Sequence, residues 1–334
     1  MNVLTKNIVY LTSYIKVIIM KQSLKLFAIT ILLLFNFSCT EEVDLAGIPL
    51  TNHIQFFGFT LIDTYWDDPT DNEIKTNYID EVHSFSNVAD ILVVTPTDNI
   101  INRMSAIKNL QMKSILHVSE LFFEQVGTGG QSGAEFNLRA DYKERWNTFI
   151  ATNQLQTNKN LVQAFYIGEE PTWNSISFTE LKAATDFVKS TITTVPIMII
   201  EAYPAIGNLQ IPSSVDWVGF DHYAIKDPKN NATFKSEFNL LKSKINDSQR
   251  LIMVMDTHYI STLHGDIGGI TLNEMKNVAK SYFDFANAEP KVIAILGYFW
   301  PSGFDNNSSI GARNMPQAVK DEYVRFGKMI TGKN

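Results

Sequence analysis

Between residues 54 and 299 the chain repeats one pattern. A short, continuous apolar run is followed by a stretch in which apolar residues recur every three or four positions. The runs are IQFFGF (54–59), DILVVT (90–95), KSILHV (113–118), VQAFYIG (162–168), VPIMII (195–200), DWVGF (216–220), RLIMVM (250–255) and KVIAILGYF (291–299). Most are apolar throughout rather than alternating, as expected of strands covered on both faces of a parallel sheet. The stretches between them predict helices over IDEVHSFSNV, DNIINRMSAIKNL, RADYKERWNTFIATN, SFTELKAATDFVKSTI, TFKSEFNLLKSKI and TLNEMKNVAKSYFDFAN, and MPQAVKDEYVRFGKMI closes the chain. Asp98, Ser177 with Glu180, and Thr271 with Glu274 supply helix-start signals. Eight strand–helix units predict an α/β fold, a single (β/α)8 TIM barrel. After the fifth run, YPAIGNLQIPSS reads as a loop, so one outer helix is reduced. A doubly wound sheet lacks support, because no G-x-G-x-x-G or P-loop follows a strand.

The first 38 residues do not share this pattern. MKQSLKLFAITILLLFNFSC (20–39) opens with two lysines and continues in an apolar stretch, Leu26 to Phe37. That is the length of a signal-peptide core and short of the roughly 20 residues needed to span a bilayer. Met20 is an alternative start. Cys39 is the only cysteine, so the chain forms no internal disulfide. Following Ser38 at the end of such a run, Cys39 resembles the lipidated cysteine of a bacterial lipoprotein. Thr40-Glu41-Glu42-Val43-Asp44 resembles the export signal of surface lipoproteins in glycan-degrading Gram-negative bacteria. These resemblances imply a signal peptide over 1–38, a linker over 39–50 and the barrel over 51–334. They also imply outer-membrane anchoring through lipid at Cys39, surface exposure, and other glycan-uptake proteins as partners.

Charge narrows the choice of ligand. The chain has 28 basic and 35 acidic residues, and Lys6, Lys16, Lys21 and Lys25 are the only charges in residues 1–38. The remainder therefore carries a net charge of −11. With no basic cluster, nucleic acid is excluded as a partner, and neutral or cationic ligands suit the chain better than polyanions.

In a TIM barrel, chemistry sits at the carboxyl ends of the strands. There the chain places Asp63, Tyr65, Trp66, Asp67 and Asp68 after the first run and Ser119 and Glu120 after the third. Glu169, Glu170 and Trp173 follow the fourth, and Glu201 and Tyr203 the fifth. The sixth is followed by Asp221, His222 and Tyr223, the seventh by Asp256, His258 and Tyr259, and the eighth by Trp300, Phe304 and Asp305. Acids and aromatics converging on one rim suit a sugar, whose ring faces stack on aromatics and whose hydroxyls meet carboxylates. Glycosidic cleavage needs two carboxyl groups, one acid and one base or nucleophile. Crowding drives their pKa values apart, so one stays protonated near neutral pH. The pair Glu169-Glu170 at a strand exit fits that requirement. Trp66 and Trp173, in loops, are candidate platforms, whereas Trp217 within a strand reads as core.

Four segments together resemble the clan A glycoside hydrolases. GEEP is similar to their Asn-Glu-Pro, which implies that Glu170 is the acid/base and Glu169 replaces the sugar-holding Asn. VDWVGFDHY places Tyr223 near the nucleophile. LIMVMDTHY puts Asp256 where the clan carries a nucleophilic Glu, and LGYFWPSGFD implies that Trp300 floors the sugar site. Asp221 and Glu201 are rivals of Asp256 as the second carboxylate. Glu201, Tyr203, Asp221, Tyr223 and His258 are expected around the substrate with Glu169. Retention and inversion both remain open, as does a substrate-assisted route in which paired acids support an acetamido group. The expected partner is a poly- or oligosaccharide, and no cofactor is expected. Two alternatives stand: a non-catalytic, surface glycan-binding lipoprotein on a degenerate barrel, and a metal-dependent barrel hydrolase. The latter would normally show His-x-His after the first strand, where this chain reads TLIDTYWDD.

Overall fold

A computed structural model describes residues 53–333. Cys39 and the expected signal peptide lie outside the described residues. The strands are β1 (Phe56–Phe59), β2 (Val88–Leu92), β3 (Lys113–His117), β4 (Phe123–Gly127), β5 (Glu135–Leu138), β6 (Val162–Glu169), β7 (Ile197–Ala202), β8 (Trp217–Asp221), β9 (Arg250–Asp256) and β10 (Val292–Tyr298). Eight of them form one parallel sheet in the order β1-β10-β9-β8-β7-β6-β3-β2. All eight apolar runs are therefore strands, and the sheet curls into a nearly closed barrel, as the alternation predicts.

β1 and β2 share no ladder, and scattered hydrogen bonds complete the seam between them. The Asn87 amide donates to the Phe57 carbonyl at 3.0 Å, and Phe57 N donates back to Asn87 Oδ1 at 2.9 Å. Further along, Leu92 N donates to the Asp63 carbonyl at 3.1 Å. Gly58 permits the close approach: a Cβ there would lie 2.4 Å from the Val88 carbonyl oxygen.

Two apolar clusters hold the molecule together. Val88, Ile115, Ala164, Met198, Ile200, Trp217, Ile252, Val254 and Leu296 fill the barrel interior. The opposite strand faces pack against the outer helices, notably Phe178–Thr191, Ala232–Lys244, Met275–Asn287 and Gln317–Thr331. Ser177 and Glu180 form the expected capping box, and so do Thr271 and Glu274. Asp98 caps the Val94–Thr95 turn instead, and its helix starts at Ile101, after Ile100 N bonds to Asn153 Oδ1. The loop after β7 holds only the short 3-10 turn Tyr203–Ala205, so the reduced helix is real. The antiparallel hairpin β4–β5, which carries the glycine-rich GTGGQSG, has no counterpart in the sequence reading.

Candidate active site

Glu169 and Glu170 are consecutive, yet both face the barrel mouth. Strand residues normally alternate between faces. Here the β6–β7 register shifts between Tyr166 and Gly168, a bulge that turns Glu169 inward beside Ile200. Glu170 then leaves the strand at φ 45°, in the left-handed region, with its amide donating to the Ile200 carbonyl at 2.7 Å. Strained backbone of this kind is characteristic of functional sites. Buried Glu201 fixes the turn that follows, accepting from Thr172 N at 2.9 Å and Trp173 N at 3.2 Å.

The two glutamates line a cavity of about 560 Å³ at the carboxyl ends of the strands. Asp221 and Tyr223 from β8 and its exit loop, Trp66 from the β1 loop, and Tyr298 and Asp305 from β10 and its loop share the wall. Asp90, His117, Glu120 and Tyr166 complete the polar lining, above an apolar floor that includes Ile115, Met198, Val254 and Leu296. Six carboxylates therefore face this space against one histidine among the described residues. Its size suits a small ligand.

The adjacent glutamates have opposite protonation preferences. Burial and the charge of Glu169 push Glu170 up to about 7. Glu170 and Asp221 share a side-chain hydrogen bond, and burial together with the Glu170 charge raises Asp221 well above the carboxylate range. The pair thus holds a proton at neutral pH. Glu169 behaves differently: burial raises it, but His117 Nε2, 3.4 Å from Glu169 Oε2, holds it below its usual value. His117 stacks on Tyr166 at 4.3 Å, which orients the imidazole. Tyr223 and Tyr298 stack 5.1 Å apart, Tyr223 reaches Asp221 at 3.4 Å, and Tyr298 donates to Asp305 at 3.0 Å.

The expected site residues therefore separate into those on the wall and those behind it. Glu169, Glu170, Asp221, Tyr223 and Trp66 line the cavity; Asp256 and Glu201 do not. Asp256 is 0% exposed. Its carboxylate accepts from Ala224 N at 2.8 Å, lies 3.1 Å from His264 Nε2 through each oxygen, and is 3.4 Å from His258 Nδ1. Burial raises it, and the two histidines and the Ala224 amide more than reverse this. His258 packs edge-on behind Tyr223 and Tyr298, and burial lowers it to about 4. Trp300 is buried in the core against Phe59, with its indole donating to Glu81 at 2.7 Å. Tyr298, two residues earlier, is the aromatic that β10 sends into the cavity. Trp173 is half-buried outside it, and Tyr203 stacks on His222 at 3.6 Å on the outer rim. Asp90, His117, Tyr166 and Tyr298 are wall residues absent from the expected set. Inward parity along each strand is the signal that finds them.

Asp256, His258 and His264 are also the one trio among the described residues able to gather around a metal ion. Their hydrogen bonds oppose this. Nδ1 of His264 lies 2.9 Å from Ile260 N and 3.2 Å from the Ile260 carbonyl, and Nε2 lies 3.1 Å from each Asp256 oxygen, so both ring nitrogens already have protein partners.

No family model matches the sequence, and no curated protein sequence matches it. Solved structures do resemble the fold. Native xylanase 10B from Thermotoga maritima aligns at 13% identity over 84% of this chain and 99% of its own, with a TM-score of 0.53. A GH113 β-1,4-mannanase aligns at 12% identity over 83% and 99%, with a TM-score of 0.50. A β-glucuronidase from an uncultured Clostridium sp. aligns at 13% identity over 82% of this chain and 50% of its own, with a TM-score of 0.55. At these identities the likeness establishes the TIM-barrel fold.

The placement of Asp256 has a measurable consequence. Asp256→Asn leaves His264 and His258 without their buried anion, and denaturant unfolding should register a loss of about 3–5 kcal/mol. Glu170→Gln should behave oppositely. A carboxyl raised from 4.5 to about 7 in the folded state loses stability as pH climbs through that window. At pH 8 the glutamine variant should therefore match or exceed the parent. Wild-type stability in Asp256→Asn would contradict the anchoring role.

Proposed function

We propose that the protein is a glycoside hydrolase, with the Glu170–Asp221 pair as its proton donor. The observation that carries this reading is a carboxyl pair sharing a hydrogen bond inside a barrel-mouth cavity, next to a third carboxylate kept ionised by a histidine. Glu170 passes its proton to the glycosidic oxygen as the bond to the anomeric carbon breaks. Asp221 steadies the resulting carboxylate through their hydrogen bond. Glu169, ionised and oriented by His117, faces the positive charge that develops on an oxocarbenium-like ring. Water adds to the anomeric carbon and returns a proton to the pair. Glu201 and Asp256 serve as positioning residues, one for the Glu170 turn and one for the Tyr223–Ala224 loop. Tyr298 supplies the stacking surface that Trp300 was expected to give. The six cavity carboxylates disfavour uronic acids and sulfated glycans and favour neutral or cationic sugars. The solved neighbours named for xylan and β-1,4-mannan make those two polymers the first candidates for this chain.

The chain's envelope location belongs to the same reading. Lipid on Cys39 would hold the barrel at the outer-membrane surface, where a glycan is met before uptake. Stable anchoring needs more than one acyl chain. Cys39→Ala should move the protein from the membrane to the soluble fraction, and detergent-requiring membrane association in that variant would contradict the lipid anchor.

Hydrolysis of xylan, β-1,4-mannan, their oligosaccharides and aryl glycosides tests the chemistry. General acid catalysis contributes roughly 10²–10⁴-fold. Glu170→Gln should lose that much on a natural glycan and much less on an activated aryl glycoside, whose leaving group needs no proton. Activity should fall as pH rises through about 7, where Glu170 loses its proton. Equal slowing on both substrate classes would remove Glu170 as the acid. Binding without cleavage across the panel would favour the non-catalytic glycan-binding reading.

A further inference from the structure

The β1 exit loop displays Tyr65 between two cavity residues, Thr64 and Trp66. Tyr65 is 55% exposed. One side is occupied by the Arg103 guanidinium, 4.8 Å from the ring centre, and Arg103 Nη1 donates to the Tyr65 hydroxyl at 2.8 Å. Arg103 is itself held by Asp63, through Nε to Oδ2 at 2.7 Å and Nη2 to the backbone carbonyl at 2.6 Å. The backbone adopts φ 67° at Tyr65, a costly conformation for a side chain of this size. Ring, cation and backbone together present a rigid aromatic to solvent at the edge of the cavity. Beside it, the Thr64 hydroxyl is buried with no hydrogen-bond partner, although Thr64 is a wall residue and 6% exposed. An immobilised ring with one face free is a surface that the C–H groups of a sugar can cover. Val94, which also lines the cavity, is 42% exposed and adds apolar surface at the mouth.

We infer that Tyr65, with Val94 at the cavity edge, forms a sugar-binding subsite on the rim of the cleavage cavity, so that the substrate is an oligo- or polysaccharide extending past the barrel mouth over the β1 loop. This inference rests on the reading of the cavity as a glycoside-cleaving site. Immobilisation is what makes the ring effective, because the stack forms without ordering a mobile side chain. Arg103 is neutralised by Asp63, so the platform selects for a ring face rather than for an anion.

Calorimetric titration of Glu170→Gln with xylohexaose, mannohexaose and the corresponding disaccharides tests it. In this background Tyr65→Ala should weaken hexasaccharide binding by about tenfold, the effect of losing one well-packed aromatic anchor. Disaccharide binding should stay within about twofold, because a disaccharide fits within the cavity. Tyr65→Phe keeps the ring and should retain most of the hexasaccharide affinity. Equal affinity of the Tyr65→Ala and Tyr65 proteins for a hexasaccharide that binds would overturn the subsite. An equal loss for hexasaccharide and disaccharide would overturn it too, by placing Tyr65 within the cavity site. Failure of Glu170→Gln to bind any member of the panel would overturn the glycan reading itself and this inference with it.

Discussion

The cavity depends on buried carboxylates that hold the loops of neighbouring strands. Asp90 on β2 accepts from Leu61 N and Ile62 N, at the exit of β1. Glu201 on β7 accepts from Thr172 N and Trp173 N, at the exit of β6. Asp256 on β9 accepts from Ala224 N, at the exit of β8. Each acid reaches back to the loop of the preceding barrel strand, and those three loops carry Tyr65 and Trp66, Glu170, and Tyr223. Buried backbone amides must find acceptors, and a carboxylate satisfies two at once with charge-assisted bonds. The same device places the functional side chains and stiffens the rim around them.

Rigidity at the rim sets up the electrostatics. The bulge in β6 and the left-handed backbone at Glu170 bring two consecutive glutamates to one cavity, where alternation alone would separate them. Their partners then distinguish them. His117 stabilises charge on Glu169, and that charge, added to burial, disfavours charge on Glu170. A carboxyl that keeps its proton near neutral pH and an ionised carboxylate therefore arise from neighbouring positions in the chain. The strained backbone is stabilised by the Glu201 anchor and by the Ile200 carbonyl on the adjacent strand.

The strands were legible in the sequence because burial on both faces leaves continuous apolar runs, and all eight occur. The convergence of Glu169, Glu170, Asp221, Tyr223 and Trp66 was legible for a related reason: in a barrel, residues following the strands meet at one mouth. What the sequence could not separate was an acid on the cavity wall from an acid behind it. Asp221 and Asp256 both end a strand beside a histidine and a tyrosine. His264, placed by the π-helical turn Ser261–Ile267, holds Asp256 in the interior together with His258 and the Ala224 amide. Trp300 and Tyr298 were confused likewise, since the turn after β10 decides which aromatic faces the cavity. The β4–β5 hairpin escaped because both strands are short and most of β4 is exposed, which leaves little periodic signal.

The central claim is that Glu170 and Asp221 share a proton at neutral pH while Glu169 does not. Carboxyl-selective carbon NMR titration of the intact protein, assigned with Glu170→Gln, Asp221→Asn and Glu169→Gln, measures this directly. The account predicts one resonance from the pair titrating near 7, its removal or displacement in either pair variant, and a Glu169 signal that titrates below 4.5. Glu170 and Asp221 both titrating in the ordinary carboxylate range would contradict it.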